Sequence, residues 1–301
     1  VTAPTDQSTA STFTVPGTDI ALRETNGKLV TDGHSFDDIG DGIWDLIRPE
    51  RRSHFDRFAC DYAAVRIAEG REMEPAEVQA LPQVYPDHPI ADMWRQRAQS
   101  HARFKSTLTQ LSGGAAVDIG AGCGWLAADL ARDGWQATAV DVTVEGGDGL
   151  AAARYHSEEL QLARAEMEAL PFGSQRFDMA VFNASLHYAG SVTHALDEAV
   201  RVLRPGGKLV VLDSPVFSSA EAGRAMVDEF AASAAESLGL RAAAIEGPGY
   251  VLDRELARFD FVELGPTGGL RQRLHQWRGA RRTGRETARR PVLVATIGCQ
   301  S

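Results

Sequence analysis

Hydrophobic and polar positions change their spacing along the chain, and each change marks a different kind of element. Val1 to Gly17 is rich in Thr, Ser and Pro. It has too few apolar side chains to bury, so residues 1–18 read as a flexible tail. From Asp19 short apolar patches alternate with polar residues, punctuated by Asn26-Gly27, Asp32-Gly33 and Asp41-Gly42. Such dipeptides make tight turns between small strands. From Pro49 to Leu81 the period lengthens, and Phe55, Phe58, Ala59, Tyr62, Ala63 and Val65 fall on one helical face. The prolines of LPQVYPDHP break that pattern, and a second helix is predicted from Ile90 to Leu111. Residues 19–110 are therefore expected to form a small β unit and a helical cap.

After Ala115 the pattern becomes regular. The apolar runs AAVDIG, QATAVDV, MAVFNA and KLVVLDS are each followed by a helical stretch, at Trp125–Asp133, Gly149–Ser157, Val192–Leu203 and Ala220–Leu238. Strands alternating with helices specify an α/β fold, with a doubly wound, mainly parallel sheet covered on both faces. FDFVELGP and RPVLVATIG add two late strands, so residues 111–301 read as one domain.

Composition narrows the class. With 301 residues, 44% hydrophobic and 24% charged, the chain sits at the globular average. No apolar run reaches the ~18 residues of a spanning helix, and the N-terminus lacks the apolar stretch of a secretory signal. Cys60, Cys123 and Cys299 form no C-x-x-C pair, which fits free thiols in a reducing compartment and hence a cytoplasmic, membrane-free protein. A net charge of -10 opposes general nucleic-acid binding. One stretch runs the other way: between Arg271 and Arg290, eight arginines face the single acid Glu286.

The chemistry concentrates in VDIGAGCGWLAADLA, Val117 to Ala131, where a strand ends in glycines and a helix begins. Gly120, Gly122 and Gly124 permit close backbone approach, with helix N–H groups behind them. The dinucleotide pattern G-x-G-x-x-G would need its third glycine at Trp125, so a nicotinamide cofactor ranks low. Asp118 precedes the loop, and Asp141, ending the next strand, is placed to take both hydroxyls of a ribose. Two further segments follow, AEMEALPFGSQRFDMAVFNASLHY from Ala165 and RVLRPGGKLVVLD from Arg201.

In this order and spacing the four blocks resemble the class I, Rossmann-like S-adenosylmethionine-dependent methyltransferases, whose sheet has seven strands. The resemblance is strong over 111–216. It implies that Asp118, Gly120, Ala121, Gly122 and Gly124 wrap the methionine part of S-adenosyl-L-methionine, and that Asp141 holds the ribose with Val142 on the adenine. Glu166 would accept from the adenine amino group, Met167 would lie along the ring, and Asn183 would face the sulfonium side. The stretch GKLVTDGHSFDDIGDGIWDL is similar to the zinc-ribbon-like segment of some bacterial methyltransferases stripped of its cysteines, so no metal site is expected.

Substrate handling must come from elsewhere. Trp94 and Arg97, on one face of the second predicted helix, offer an aromatic wall and a guanidinium for the cofactor's carboxylate, or else a core residue and a solvated charge. His187 and Tyr188 are the clustered acid/base groups near the expected methyl, with a structural histidine as the alternative. Two functional readings follow. One is methyl transfer to a small-molecule acceptor, an anionic one if the arginine stretch takes part. The other is an RNA- or protein-directed methyltransferase or binding module that uses the arginines as its footprint.

Overall fold

The computed structural model describes residues 9–108, 113–238, 247–265 and 285–298. Turn chemistry shapes the N-terminal unit, in which β1 (Thr9–Thr14), β2 (Ala21–Thr25), β3 (Lys28–Thr31) and β4 (His34–Asp37) form an antiparallel sheet in that order. Asn26 and Gly27 both take positive φ, 53° and 72°, in the two-residue turn that sets Thr25 opposite Lys28. Turns of this hand match the twist of a hairpin. Leu22, Leu29 and Phe36 are buried on one side of this sheet.

β1 corrects the expectation of a tail through residue 18. Phe13 is 3% exposed, its ring lies 5.7 Å from that of Phe172, and Thr14 N–H donates to the Pro171 carbonyl at 2.9 Å. A Thr- and Ser-rich segment is docked because one aromatic ring and Val15 reach the main core, a feature that average composition hides.

Next come β5 (Ile43–Asp45) and the helices α1 (Pro49–Ala68), α2 (Pro75–Ala80) and α3 (Ala91–Leu108). The helical stretch expected over Pro49–Leu81 is thus two helices. Gly70, at φ 65°, closes the end of α1, with its N–H on the Ile67 carbonyl. The end of the second predicted helix, to Leu111, lies outside the described residues.

The remaining elements are β6 (Ala115–Ile119), α4 (Trp125–Arg132), β7 (Gln136–Asp141), β8 (Gln161–Arg164), β9 (Phe177–Asn183), α5 (Val192–Val202), β10 (Leu203–Leu212), β11 (Val216–Phe217), α6 (Ala220–Leu238), β12 (Val251–Leu252), α7 (Asp253–Leu256), β13 (Val262–Glu263) and β14 (Val292–Thr296). The main sheet runs β13-β14-β10-β9-β6-β7-β8-β5, parallel except at β14, which is antiparallel to both neighbours. It is a Rossmann-like, doubly wound sheet with eight strands among the described residues rather than seven. The extra strand is β5, which the N-terminal unit lends to the edge with Ile43 opposite Leu162 and Asp45 opposite Arg164. Three residues are too few for periodicity to register. The helix expected over Gly149–Ser157 is a 3₁₀ turn, Leu150–Tyr155.

Val117, Phe182 and Val211 pack into one apolar layer, and Ala116, Val181 and Val210 into the other. Burial on both faces explains why these strands read as continuous apolar runs. α6 sits tightly on Tyr250, since a Cβ on Gly223 would lie 2.6 Å from that ring. Among the described residues no helix is long and apolar enough to cross a membrane.

Docking of β1 can be measured. Phe13→Ala is expected to cost ~2–4 kcal/mol in urea unfolding, as for other buried aromatic truncations. A loss below about 0.5 kcal/mol, typical of an uninvolved surface position, would show that the segment is not docked.

Candidate active site

Register brings the site together. β6 pairs with β7 and β9, and β10 with β9, so that Ile119 lies beside Val140 and Leu212 beside Asn183. Gly120, Asp141, Asn183 and Asp213 therefore stand at the carboxyl ends of four neighbouring parallel strands. In open α/β sheets ligands bind at that edge.

The loop after β6 turns sharply. Gly120, Gly122 and Gly124 have φ of 74°, 56° and 74°, a region that side-chain-bearing residues rarely enter. Gly120 and Ala121 both donate to the Val140 carbonyl, at 2.8 and 3.0 Å. Gly122 N–H donates to Asp141 Oδ2 at 2.8 Å. The other oxygen, Oδ1, accepts from Thr143 N–H at 2.8 Å and from its hydroxyl at 2.7 Å. Burial raises the Asp141 pKa above its ordinary value, and these bonds oppose the rise.

Asp118 behaves differently. It is 1% exposed, no hydrogen bond of normal geometry reaches either oxygen from the described residues, and burial with Asp141 nearby pushes its pKa up to about 8. At neutral pH it is mostly a neutral acid behind the loop. Cys123 is likewise silent, its thiol pushed up to about 12 by burial, far from the thiolate a nucleophile requires.

The outer walls come from the cap. Phe58, Tyr62 and Arg66 of α1 and Met93, Trp94 and Arg97 of α3 border a cavity of about 100 Å³ with the glycine loop, Asp141, Val142, Met167, Asn183 and Tyr188. Trp94 stands edge-on to Trp125, with ring centres 5.8 Å apart, and carries the Arg97 guanidinium 4.8 Å above its ring. Arg66 donates to the Tyr62 and Tyr188 hydroxyls and faces Glu69 at 3.3 Å and Asp148 at 3.4 Å. Two further chambers, of about 470 and 290 Å³, adjoin this one and share Arg66 and Arg71 with it.

Trp94, Arg97, Gly120, Ala121, Gly122, Asp141, Val142, Met167, Asn183 and Tyr188 thus border one cavity. His187 borders the 290 Å³ chamber instead. Burial, with Arg290, Arg97 and Arg66 nearby, pushes its pKa far below the ordinary value, so it is neutral and weakly basic. Asp118 and Gly124 lie behind the loop and do not line the cavity. Glu166 is not in the lining either, because its oxygens are taken by Arg48 at 2.6 Å and Arg51 at 3.3 Å.

Sequence reasoning missed Tyr62 and Arg66 as site residues, although Phe58, Tyr62 and Arg66 repeat at the i, i+4 spacing of one helix face. It also missed Thr143, Asp148 and Asp213, whereas Arg290, the last of the arginine stretch, borders the 290 Å³ chamber. Of the arginine stretch, Arg271, Arg273, Arg278, Arg281 and Arg282 lie outside the described residues. Arg285 pairs with Glu229 and Arg289 with Asp253.

A family model described as a methyltransferase domain matches residues 117–211, the stretch from β6 through β10. Over 100 residues the chain is 33% identical to sterol 4-C-methyltransferase strm-1 of Caenorhabditis elegans, covering 32% of this chain and 30% of that protein. Over 84 residues it is 38% identical to the ubiquinone/menaquinone biosynthesis C-methyltransferase UbiE of Cereibacter sphaeroides, covering 27% and 33%. The chain thus spans about a third of the length of these curated relatives. Among solved structures it superposes on the cyclase SpnF with a TM-score of 0.50 at 18% identity, covering 84% of this chain and 97% of that one, a likeness of fold. Residues 117–211 thus carry a methyltransferase domain, set in a Rossmann-like sheet.

The buried acid gives a pH test. Between the ordinary carboxyl range and pH 8 the folded chain keeps a proton on Asp118 that the unfolded chain releases, so stability falls as pH rises through that window. Asp118→Asn is expected to leave stability at pH 4 nearly unchanged and to raise it by ~2 kcal/mol or more at pH 8. Equal effects at both values, in urea unfolding, would show that Asp118 is ionised in the fold.

Proposed function

We propose that this chain transfers a methyl group from S-adenosylmethionine to an O, N or C atom of a small-molecule acceptor. One observation carries the reading: the glycine loop, Asp141, Asn183 and Tyr188 border a single cavity whose rim holds Arg97 without an ion-pair partner among the described residues. The residues present suit that cofactor. Asp141 is a carboxylate at a strand end for paired ribose hydroxyls, Val142 and Met167 are apolar faces for a purine, and Arg97 is a guanidinium for a carboxylate. When bound, the cofactor supplies an electrophilic methyl on a sulfonium.

The chain's own contribution is alignment and exclusion of water. Displacement at a methyl needs the acceptor atom in line at about 3 Å, so fixed walls matter more than proton transfer. Phe58, Tyr62 and Trp94 cover the cavity, and Ala184 and Tyr188 stand where it meets the 290 Å³ chamber. His187, neutral at this border, suits accepting a hydrogen bond from the acceptor and not storing its proton. Glu166 acts through Arg48 and Arg51, which it ties to the adenine end.

Titration with S-adenosylhomocysteine, the demethylated product, tests this reading. Micromolar affinity is expected, falling at least about tenfold in Asp141→Ala, because two charge-assisted hydrogen bonds are worth ~1.5–3 kcal/mol each. Asp141→Asn, which retains the shape and some acceptor capacity, should fall between the two. Unchanged affinity in Asp141→Ala would overturn the cofactor assignment.

A further inference from the structure

Past Ala184 and Tyr188 the cleft opens into the chamber of about 290 Å³, at the carboxyl ends of β9 and β10. Three observations define what it can hold. One wall is apolar, made by Met226, Val227 and Phe230 of α6, and Phe230 is a large ring left 40% exposed. Gly223 seats α6 against Tyr250, so this wall is fixed.

The opposite side carries charge. Arg289 N–H donates to the Val216 carbonyl at 3.0 Å and Val216 N–H to the Arg289 carbonyl at 2.8 Å, which places Arg290 at the chamber. Arg289 turns to Asp253, whereas Arg290 has no ion-pair or hydrogen-bond partner among the described residues. The third observation is the balance of charges. Asp213, 5% exposed and bonded through Oδ1 to the Ser100 hydroxyl at 2.7 Å, is the one carboxylate among the described residues that line the chamber. Two guanidiniums, Arg97 and Arg290, face it there. Arg66 and Arg71 also border the chamber but are matched by Asp148 and Glu69. Neither guanidinium forms an ion pair with Asp213 among the described residues, so the donors of Arg290 stay free even when Arg97 serves the cofactor.

We propose that this chamber receives a monoanionic amphiphile as the methyl acceptor, its apolar body on Met226, Val227 and Phe230 and its carboxylate or similar acid on Arg290. The proposal rests on the methyl-transfer reading and adds the substrate class. Arg97 borders both chambers and serves the cofactor side, so Arg290 is the cation that belongs to the acceptor alone. Apolar walls with one or two placed charges are the usual composition of a small-molecule site.

The test uses the full chain saturated with S-adenosylhomocysteine and two probes of nearly equal shape, 1-naphthoate and its neutral amide, 1-naphthamide. By calorimetry the anion is expected to bind about tenfold more tightly, the value of one charge-assisted hydrogen bond. Arg290→Gln should bring the two probes within about twofold, and Arg290→Lys should keep most of the preference. Phe230→Ser should weaken both probes alike. Arg290 and Phe230 are exposed, so these variants should fold, and their affinity for S-adenosylhomocysteine should match the parent's. Equal binding of the two probes by the parent chain, binding of neither at millimolar concentration, or a preference that survives in Arg290→Gln would each overturn the proposal. Failure of the parent chain to bind S-adenosylhomocysteine, read in its own titration, would instead overturn the methyl-transfer reading.

Discussion

The cleft depends on a close approach between two turns. A Cβ on Gly120 would lie 2.4 Å from the Ser185 Cβ, so only glycine lets the loop after β6 meet the turn after β9. The Ser185 hydroxyl closes the contact from its side by donating to the Ile119 carbonyl at 2.5 Å. Gly122 then reaches across to Asp141 at the end of β7. Three strand ends become one rim, and the backbone strain of positive φ is absorbed by residues that tolerate it. The cavity is preformed because these turns lock one another.

The cap is held to that rim by buried charge. Glu166, with its side chain 2% exposed, would be costly as an isolated carboxylate, and Arg48 and Arg51 at the start of α1 compensate it. One step further along the edge, Arg164 joins Asp45 of β5 at 3.3 Å and Asp56 of α1 at 2.6 Å. Together these pairs set the angle at which α1 crosses the strand ends. Phe58, Tyr62 and Arg66 reach the cleft as a consequence of that angle. The residue that a family pattern assigns to adenine recognition thus serves here to fasten the cap.

Elements with strong period were legible in the sequence, and so were turns with strong chemistry. Trp125–Arg132, Val192–Val202 and Ala220–Leu238 follow the apolar spacing, and the Asn26-Gly27 turn follows from its dipeptide. The glycine loop and Asp141 were legible because close approach restricts residue type at known spacing. β1 and β5 were not, since their stability comes from a partner far away in sequence, Phe172 for one and β8 for the other. The chamber beyond Tyr188 was hidden for the same reason. Asp213 ends β10, Met226 lies on α6 and Arg290 precedes β14, and no local pattern announces that these meet.

The two carboxylates at the floor illustrate how position divides the work between chemically identical groups. Asp118 and Asp141 repel each other's charge, and in a buried setting a close pair of acids cannot both stay ionised at little cost. Asp141 accepts three hydrogen bonds and is the one placed to keep its charge. Asp118 accepts none of normal geometry from the described residues and holds its proton up to about pH 8. Of this pair only Asp141 presents a negative group to the cavity, while the far walls present Arg97 and Arg290 beside Asp213. Hydrogen-bond acceptors at one end and two guanidiniums to one carboxylate at the other set a direction along the cleft. A ligand carrying hydroxyls at one end and an acid at the other is oriented by that field before any close contact forms.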